Sequence, residues 1–224
     1  MSLVGRWRWW RLSRDSARSR LAEPLPPART PVARAPLLAI DLEMTGLDPA
    51  RDEIISIGWV PLQDGAIALA EAAEVRLRPE RRVGVGHSAT IHGIRDCDRG
   101  DGLDPCEGLD RLMAALSGRI AVFHHAPLDT AFLDRSLHAS GQRGWRQPSI
   151  DTLAWFRRRQ LRRGDDSTAG ASTLDAARRH YGLPMRSAHN ALDDALSCAE
   201  LALVMATRSR ARLIDVCSVP TGRF

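Results

Sequence analysis

The run Leu37-Leu38-Ala39-Ile40 is apolar and passes directly into Asp41-Leu42-Glu43, a pattern that predicts a buried strand over 37–43 delivering carboxylates at its end. Runs over 53–60 and 66–77 flank a turn at Gln63-Asp64-Gly65, so three consecutive strands are expected to form an antiparallel meander. Helical spacing starts at 107–117, where Leu109, Leu112, Met113 and Leu116 recur on one face and Gly118 is the stop. The pattern then predicts a strand over 119–123, a helix over 129–140, and a short strand from Ser149 turning into a helix that reaches Arg163. A polar loop, Gly164 to Ala171, precedes a helix capped by Ser172 or Thr173 that runs through Tyr181 and ends at Gly182 and Pro184. A last helix carries Leu192, Leu196, Ala199 and Leu203 along one face. The expected fold class is α/β, a mixed sheet of about five strands flanked by helices.

A length of 224 residues with 44% hydrophobic content fits one moderate domain plus an extension. We divide the chain into a basic Trp/Arg- and Pro-rich arm over 1–36, a domain over 37–209 and a tail over 210–224. Cys97, Cys106, Cys198 and Cys217 form no C-x-x-C pair, which suggests a reduced, cytoplasmic protein. No apolar run approaches the roughly 18 residues that span a membrane.

Net charge changes this picture only locally. The arm holds eight arginines against Asp15 and Glu23, a net of +6 out of +5 for the whole chain, so residues 37–224 carry −1. All 32 basic residues are arginine. Leu3, Trp7 and Trp10 fall at helical spacing, followed by a stiff linker containing Pro24, Pro26, Pro27, Pro31 and Pro36. Such an arm can grip single-stranded nucleic acid, dock on the domain or a partner such as a polymerase, or lie upstream of the true start of translation.

Three segments carry candidate chemistry. Asp41 and Glu43 are two apart on a strand, so both point to one face, and the repulsion between them is relieved by a divalent cation such as Mg²⁺ or Mn²⁺. Gly46, Asp48 and Pro49 then form a turn. In Phe123-His124-His125-Ala126-Pro127-Leu128-Asp129, a strand end meets a helix start; taken alone, Asp129 also reads as a first-turn acid that favours the helix dipole. In Ser187-Ala188-His189-Asn190-Ala191-Leu192-Asp193-Asp194, His189 alone also reads as a capping or surface residue. Asp151 with Thr152 reads as an N-cap pair. His87, His92 and Cys97, with equal gaps of five, match no structural zinc spacing.

Taken together, the segments resemble the three motifs of the DEDDh branch of 3′-to-5′ exonucleases. D-L-E-M-T-G-L-D-P is similar to the first motif; H-H-A-P-L-D to the second, with His125 and Leu128 in place of the usual asparagine and phenylalanine; and H-N-A-L-D-D to the third, where a gap of five selects Asp194 over Asp193. The resemblance implies a ribonuclease H-like fold and two divalent ions, Mg²⁺ or Mn²⁺, held by Asp41, Glu43, Asp129 and Asp194, with His189 as general base. It also implies substrate contacts from Met44, Thr45, Gly46, Ile91 and His92, and release of 5′-mononucleotides from the 3′ end of nucleic acid, single-stranded DNA first. The I-H-G-I stretch resembles the proofreading epsilon subunit of DNA polymerase III and its stand-alone relatives. D-L-E-M-T-G-L-D also resembles oligoribonucleases, so an oligoribonuclease or RNase T-like ribonuclease is the alternative, and an inactive nucleic-acid-binding module a third.

Overall fold

The computed structural model describes residues 23–79, 102–163, 173–186 and 190–218. In chain order the elements are β1 (Leu37–Met44), β2 (Ile54–Gln63), β3 (Ala66–Ile67), β4 (Ala73–Arg76), α1 (Pro105–Leu116), β5 (Ile120–Phe123), α2 (Ala126–Ala139), β6 (Ser149–Asp151), α3 (Thr152–Arg163), α4 (Leu174–His180), α5 (Ala191–Thr207), α6 (Leu213–Val216) and β7 (Cys217–Ser218). They build one mixed sheet in the order β3-β2-β1-β5-β6-β7, with β4 also pairing with β2. β1, β5 and β6 run parallel at its centre, and β2 and β7 are antiparallel to their neighbours.

Alternation along the strands sorts the core into two layers. Leu37, Ala39, Val60, Leu62, Ile120, Val122 and Ile150 face α5, α3 and α4, where Ala195, Cys198, Ala202, Phe156 and Ala177 are buried against them. Leu38, Ile40, Leu42, Ile57, Trp59, Ala121 and Phe123 face α1 and α2, packing on Leu109, Leu112, Leu116, Phe132 and Leu133. The odd-numbered positions of β1 therefore turn from Leu37 and Ala39 to Asp41 and Glu43 on the face covered by α5.

Three expectations change. The sheet has seven strands rather than about five, because β3 and β7 are two-residue pieces too short to leave a sequence pattern. The run 66–77 is not one strand: a 3₁₀ turn at Leu69–Glu71, with Leu69 61% exposed, divides β3 from β4. The packed body also reaches beyond 37–209. Leu25, Val32 and Ala35 on one side, and Leu213 and Val216 on the other, are buried in the first layer. The two flanks are tied to each other: Val32 N–H donates to Ala211 O, Leu213 N–H to Thr30 O and Ile214 N–H to Ala28 O, at 2.8–3.0 Å. The tryptophan-bearing half of the arm and the loop 164–171 lie outside the described residues. Among the described residues no helix is long and apolar enough to cross a membrane.

α4 and α5 are clamped by charge. Arg178 is fully buried, donates to Ser197 O and Pro184 O at 2.8 and 2.7 Å, and pairs with Glu200 at 2.8 Å. Arg186 grips the same carboxylate with two bonds, at 3.2 and 2.6 Å. A buried pair of this kind fixes geometry more than it adds stability, because two charges had to leave water to form it.

Candidate active site

The carboxylates converge at the C-terminal ends of the parallel strands, where ligands gather in open α/β sheets. β1 supplies Asp41 and Glu43, and α5 supplies Asp194 from its first turn. One carboxylate oxygen from each of these three lies within 4.8 Å of the others. Asp129, buried in the first turn of α2, is not one of this group of three, although its charge acts on Asp41.

Two local features place Asp194. Asn190 caps α5, its Oδ1 accepting from Asp193 N–H at 2.7 Å while its Nδ2 donates to the Asp193 carboxylate at 2.6 Å. Asp193 is thereby held at the cap, and the next residue along the helix, Asp194, turns to the cluster. Gly58 lies directly across the ladder from Asp41, and a Cβ built on it would overlap the backbone of Ala191 and Leu192. Only a bare backbone there lets the first turn of α5 come down onto the sheet.

Electrostatics make the cluster costly without a cation. Burial first, then repulsion from Asp129, Asp194 and Glu43, holds the Asp41 carboxyl well above the ordinary range. Glu43 is pushed up to about 8 by burial, then by Asp194 and by Glu74. Burial likewise pushes Asp129 to about 8, with Asp151 adding to the rise and a helix N–H opposing it. Hard, acidic oxygens crowded in a half-buried site are the donor set that suits Mg²⁺ or Mn²⁺, so the residues present fit a divalent ion.

The neighbours of the cluster are structural. His124 Nδ1 lies 2.8 Å from the Thr152 hydroxyl, which itself donates to Phe123 O at 3.1 Å; Nδ1 therefore carries the proton and leaves Nε2 bare, buried and without a partner among the described residues. Burial lowers the pKa of His124 to about 4. His125 caps α2 with a left-handed backbone, φ 81°. Asparagine tolerates that conformation well, which accounts for its being the usual residue there. Asp151 caps α3 by accepting from Ala154 N–H at 3.0 Å, as its sequence context suggests.

The expected substrate residues divide. Thr45 spends its N–H on Glu53 O, donates its hydroxyl to Asp52, and accepts from Glu53 N–H. The space beside Gly46 is filled by the Asp52 carboxylate, which also receives Asp48 N–H. Met44 is half-buried against the second core layer. His189, Ile91 and His92 lie outside the described residues. Sequence reasoning passed over Leu47, 75% exposed on this turn, although an apolar residue in an otherwise polar turn was the available signal. It also passed over Glu74, which accepts from the Ser56 hydroxyl at 2.6 Å and acts on Glu43 across β2.

Residues 38–202, most of the chain, match the family model described as Exonuclease. The chain belongs to the exonuclease family. This exonuclease is 32% identical over 169 residues to a DNA polymerase III PolC-type protein of Thermotoga petrophila, covering 75% of this chain and 12% of that one. It is 28% identical over 188 residues to a DNA polymerase III subunit epsilon-like protein of Rhodobacter capsulatus, covering 83% and 26%. The chain thus spans only a small part of the length of these relatives. Among solved structures, the exonuclease superimposes on cell-death related nuclease 4 with a TM-score of 0.70 at 16% identity, covering 79% of this chain and 65% of the other. On E. coli exonuclease I in complex with a 5cy-dT13 oligonucleotide the TM-score is 0.68 at 17% identity, covering 81% and 42%. At these identities the likeness concerns the fold alone.

Proposed function

We propose that this exonuclease removes 5′-mononucleotides from the 3′ end of single-stranded DNA. The observation that carries the reading is the meeting of Asp41, Glu43 and Asp194 oxygens within 4.8 Å at the end of β1. Asp41, Glu43, Asp129 and Asp194 would hold two divalent ions, Mg²⁺ or Mn²⁺. Such ions, about 3.5–4 Å apart in two-metal sites, supply the charge that activates water and neutralises a departing 3′-oxygen. His189, five residues before Asp194 in sequence, is the general base, with an unperturbed pKa close to working pH. Met44, Thr45 and Gly46, with Ile91 and His92, line the terminal nucleotide, and the exposed side chain of Leu47 offers its base an apolar surface. The oligonucleotide in exonuclease I supports a single-stranded substrate, and the polymerase names of the relatives support a role beside DNA synthesis.

The deciding experiment follows a 5′-labelled single strand incubated with and without Mg²⁺, with DNA, RNA and two- to five-mers in parallel. A ladder shortening from the 3′ end in Mg²⁺ alone, fastest on DNA, is expected. Preference for two- to five-mer RNA would replace this reading with an oligoribonuclease, and internal cuts would end the exonucleolytic one.

A further inference from the structure

Far from the carboxylates, α3 and the segment after α5 enclose a depression of about 600 Å³ whose floor includes Trp155 and whose walls carry Arg158, Arg159, Arg162 and Arg210. Among the described residues Asp215 is the one acid in this lining, and its Oδ2 accepts from Arg212 N–H at 3.0 Å. Among the described residues Arg158 and Arg159 make long contacts, 3.4 Å, to the carbonyls of Val216 and Arg208. None of the four arginines pairs with a carboxylate among the described residues. Residues 152–163 and 208–215 together hold eight arginines and one aspartate, although residues 37–224 as a whole carry −1. Positive charge is thus concentrated in these two segments, and four of their eight arginines line the depression. Like charges crowded without counter-charges repel, and a polyanion laid across them relieves the repulsion.

We infer that this groove binds the phosphodiester backbone of the nucleic acid whose end occupies the carboxylate site. The connection is geometric. α3 starts at Thr152, beside the end of β5, and Arg158 to Arg162 lie about 9–15 Å further along the helix at 1.5 Å per residue. A second depression, about 610 Å³, shares Arg158, Val216 and Cys217 with the first and carries Asp134 and Asp151 in its lining, so recessed surface reaches from Asp151, at the end of β6, to Arg210, and a backbone following it meets its positive charge from Arg158 onward. Guanidinium forks match phosphate oxygens two bonds at a time. A strand engaged at one end has a row of phosphates to place somewhere, and the inference rests on that strand being the substrate. An acidic protein segment would meet the same charges, but nothing in the structure places one beside the site.

The test uses the full chain and the double variant Arg162→Gln/Arg210→Gln, both positions being exposed. Fluorescence anisotropy with a labelled dT20 strand from 50 to 200 mM salt should show weaker binding by about 5- to 20-fold at the low-salt end. The slope of log affinity against log salt should become shallower by about 1.4, for two contacts at roughly 0.7 each. Hydrolysis of bis(p-nitrophenyl) phosphate in Mg²⁺, which is too small to reach the groove, should be unchanged. Equal affinity and slope in both proteins would overturn the inference; if poly-glutamate binding fell instead, the groove would belong to an acidic protein. Failure of the unmodified chain to cleave the small diester counts against the proposed chemistry, whereas the anisotropy result reads the groove by itself.

Discussion

Gly58 and Asp41 face each other across the β1–β2 ladder, and the backbone of Ala191 and Leu192 occupies the space a side chain at Gly58 would need. A residue without chemistry of its own thereby sets how close Asp194 comes to Asp41. Gly58→Ala should cost about 2–3 kcal/mol by overpacking. It should also cut metal-dependent hydrolysis well below what the loss of folded protein explains. Thermal melts paired with rates per folded molecule test this; a destabilised variant with full specific activity would detach Gly58 from the site.

The cap at Asn190 separates two adjacent acids. Asp193→Asn should leave the rate within about twofold, as for a surface change that spares the site. Asp194→Asn should abolish Mg²⁺-dependent hydrolysis. Steady-state assays on both variants decide, and equal losses would mean that the helix presents the other aspartate.

Cation binding should register as stability. At 100 times its dissociation constant a ligand adds about 2.7 kcal/mol. For a domain of this size that is about 5–10 °C in Tm, reversed by EDTA. Asp41→Asn should lose most of this shift. Without metal it should melt above the unmodified chain, because one of the mutually repelling carboxylates has gone. A metal-free variant melting lower would show that Asp41 does something other than repel.

One component of the pH dependence of stability, a loss in acid, should trace to His124. Folded, it stays neutral down to about 4, whereas in the unfolded chain it protonates at about 6.5. Between those values the unfolded chain binds a proton that the folded one refuses. The contribution is therefore complete above about pH 6.5 and is lost as the pH falls towards 4, to a total of about 3 kcal/mol. The raised carboxyls of Glu43 and Asp129 act in the opposite sense in both proteins, so the readout is the difference: Tm at pH 4.5 relative to pH 7 should be higher for His124→Asn than for the unmodified chain, and parallel curves would remove the histidine from the account.

A chain beginning at Pro36 loses Leu25, Val32 and Ala35 from the core and should melt earlier, by about 3–5 kcal/mol of stability, while keeping its metal-dependent hydrolysis. A second chain beginning at Glu23 separates this loss from any effect of the tryptophans. If the two melt together, the buried residues 25–35 are not what stabilises.

The strand-borne part of the acidic cluster was legible because it follows the strand period. The change from Leu37 and Ala39 to Asp41 and Glu43 on one face is visible in seven letters, and the resemblance to the third motif, counted from His189, points to Asp194 before any helix is seen. What stayed hidden depends on contacts between distant segments. Gly58 reads as an ordinary strand glycine until α5 lies on it, and Glu74 as a polar edge residue until Ser56 turns it towards Glu43. The prolines of 24–36 suggest a linker, since three buried side chains spread over eleven residues make no period. Leu213 and Val216 are too few to signal a helix. The break at Leu69–Glu71 falls in a run without proline or glycine to mark it.

The hydrogen bonds joining residues 28–32 to 211–214 also bear on how this body can be housed. The polypeptide enters and leaves at neighbouring points, like a bead on a looped thread. Such a body can be spliced into a surface loop of a host protein without prising the host's own strand ends apart. By the same geometry, joining the two flanks with a short bridge and reopening the ring at an exposed turn such as Asp64-Gly65 gives a circular permutant whose acidic cluster, at the opposite end of the sheet's central strands from that seam, keeps its setting.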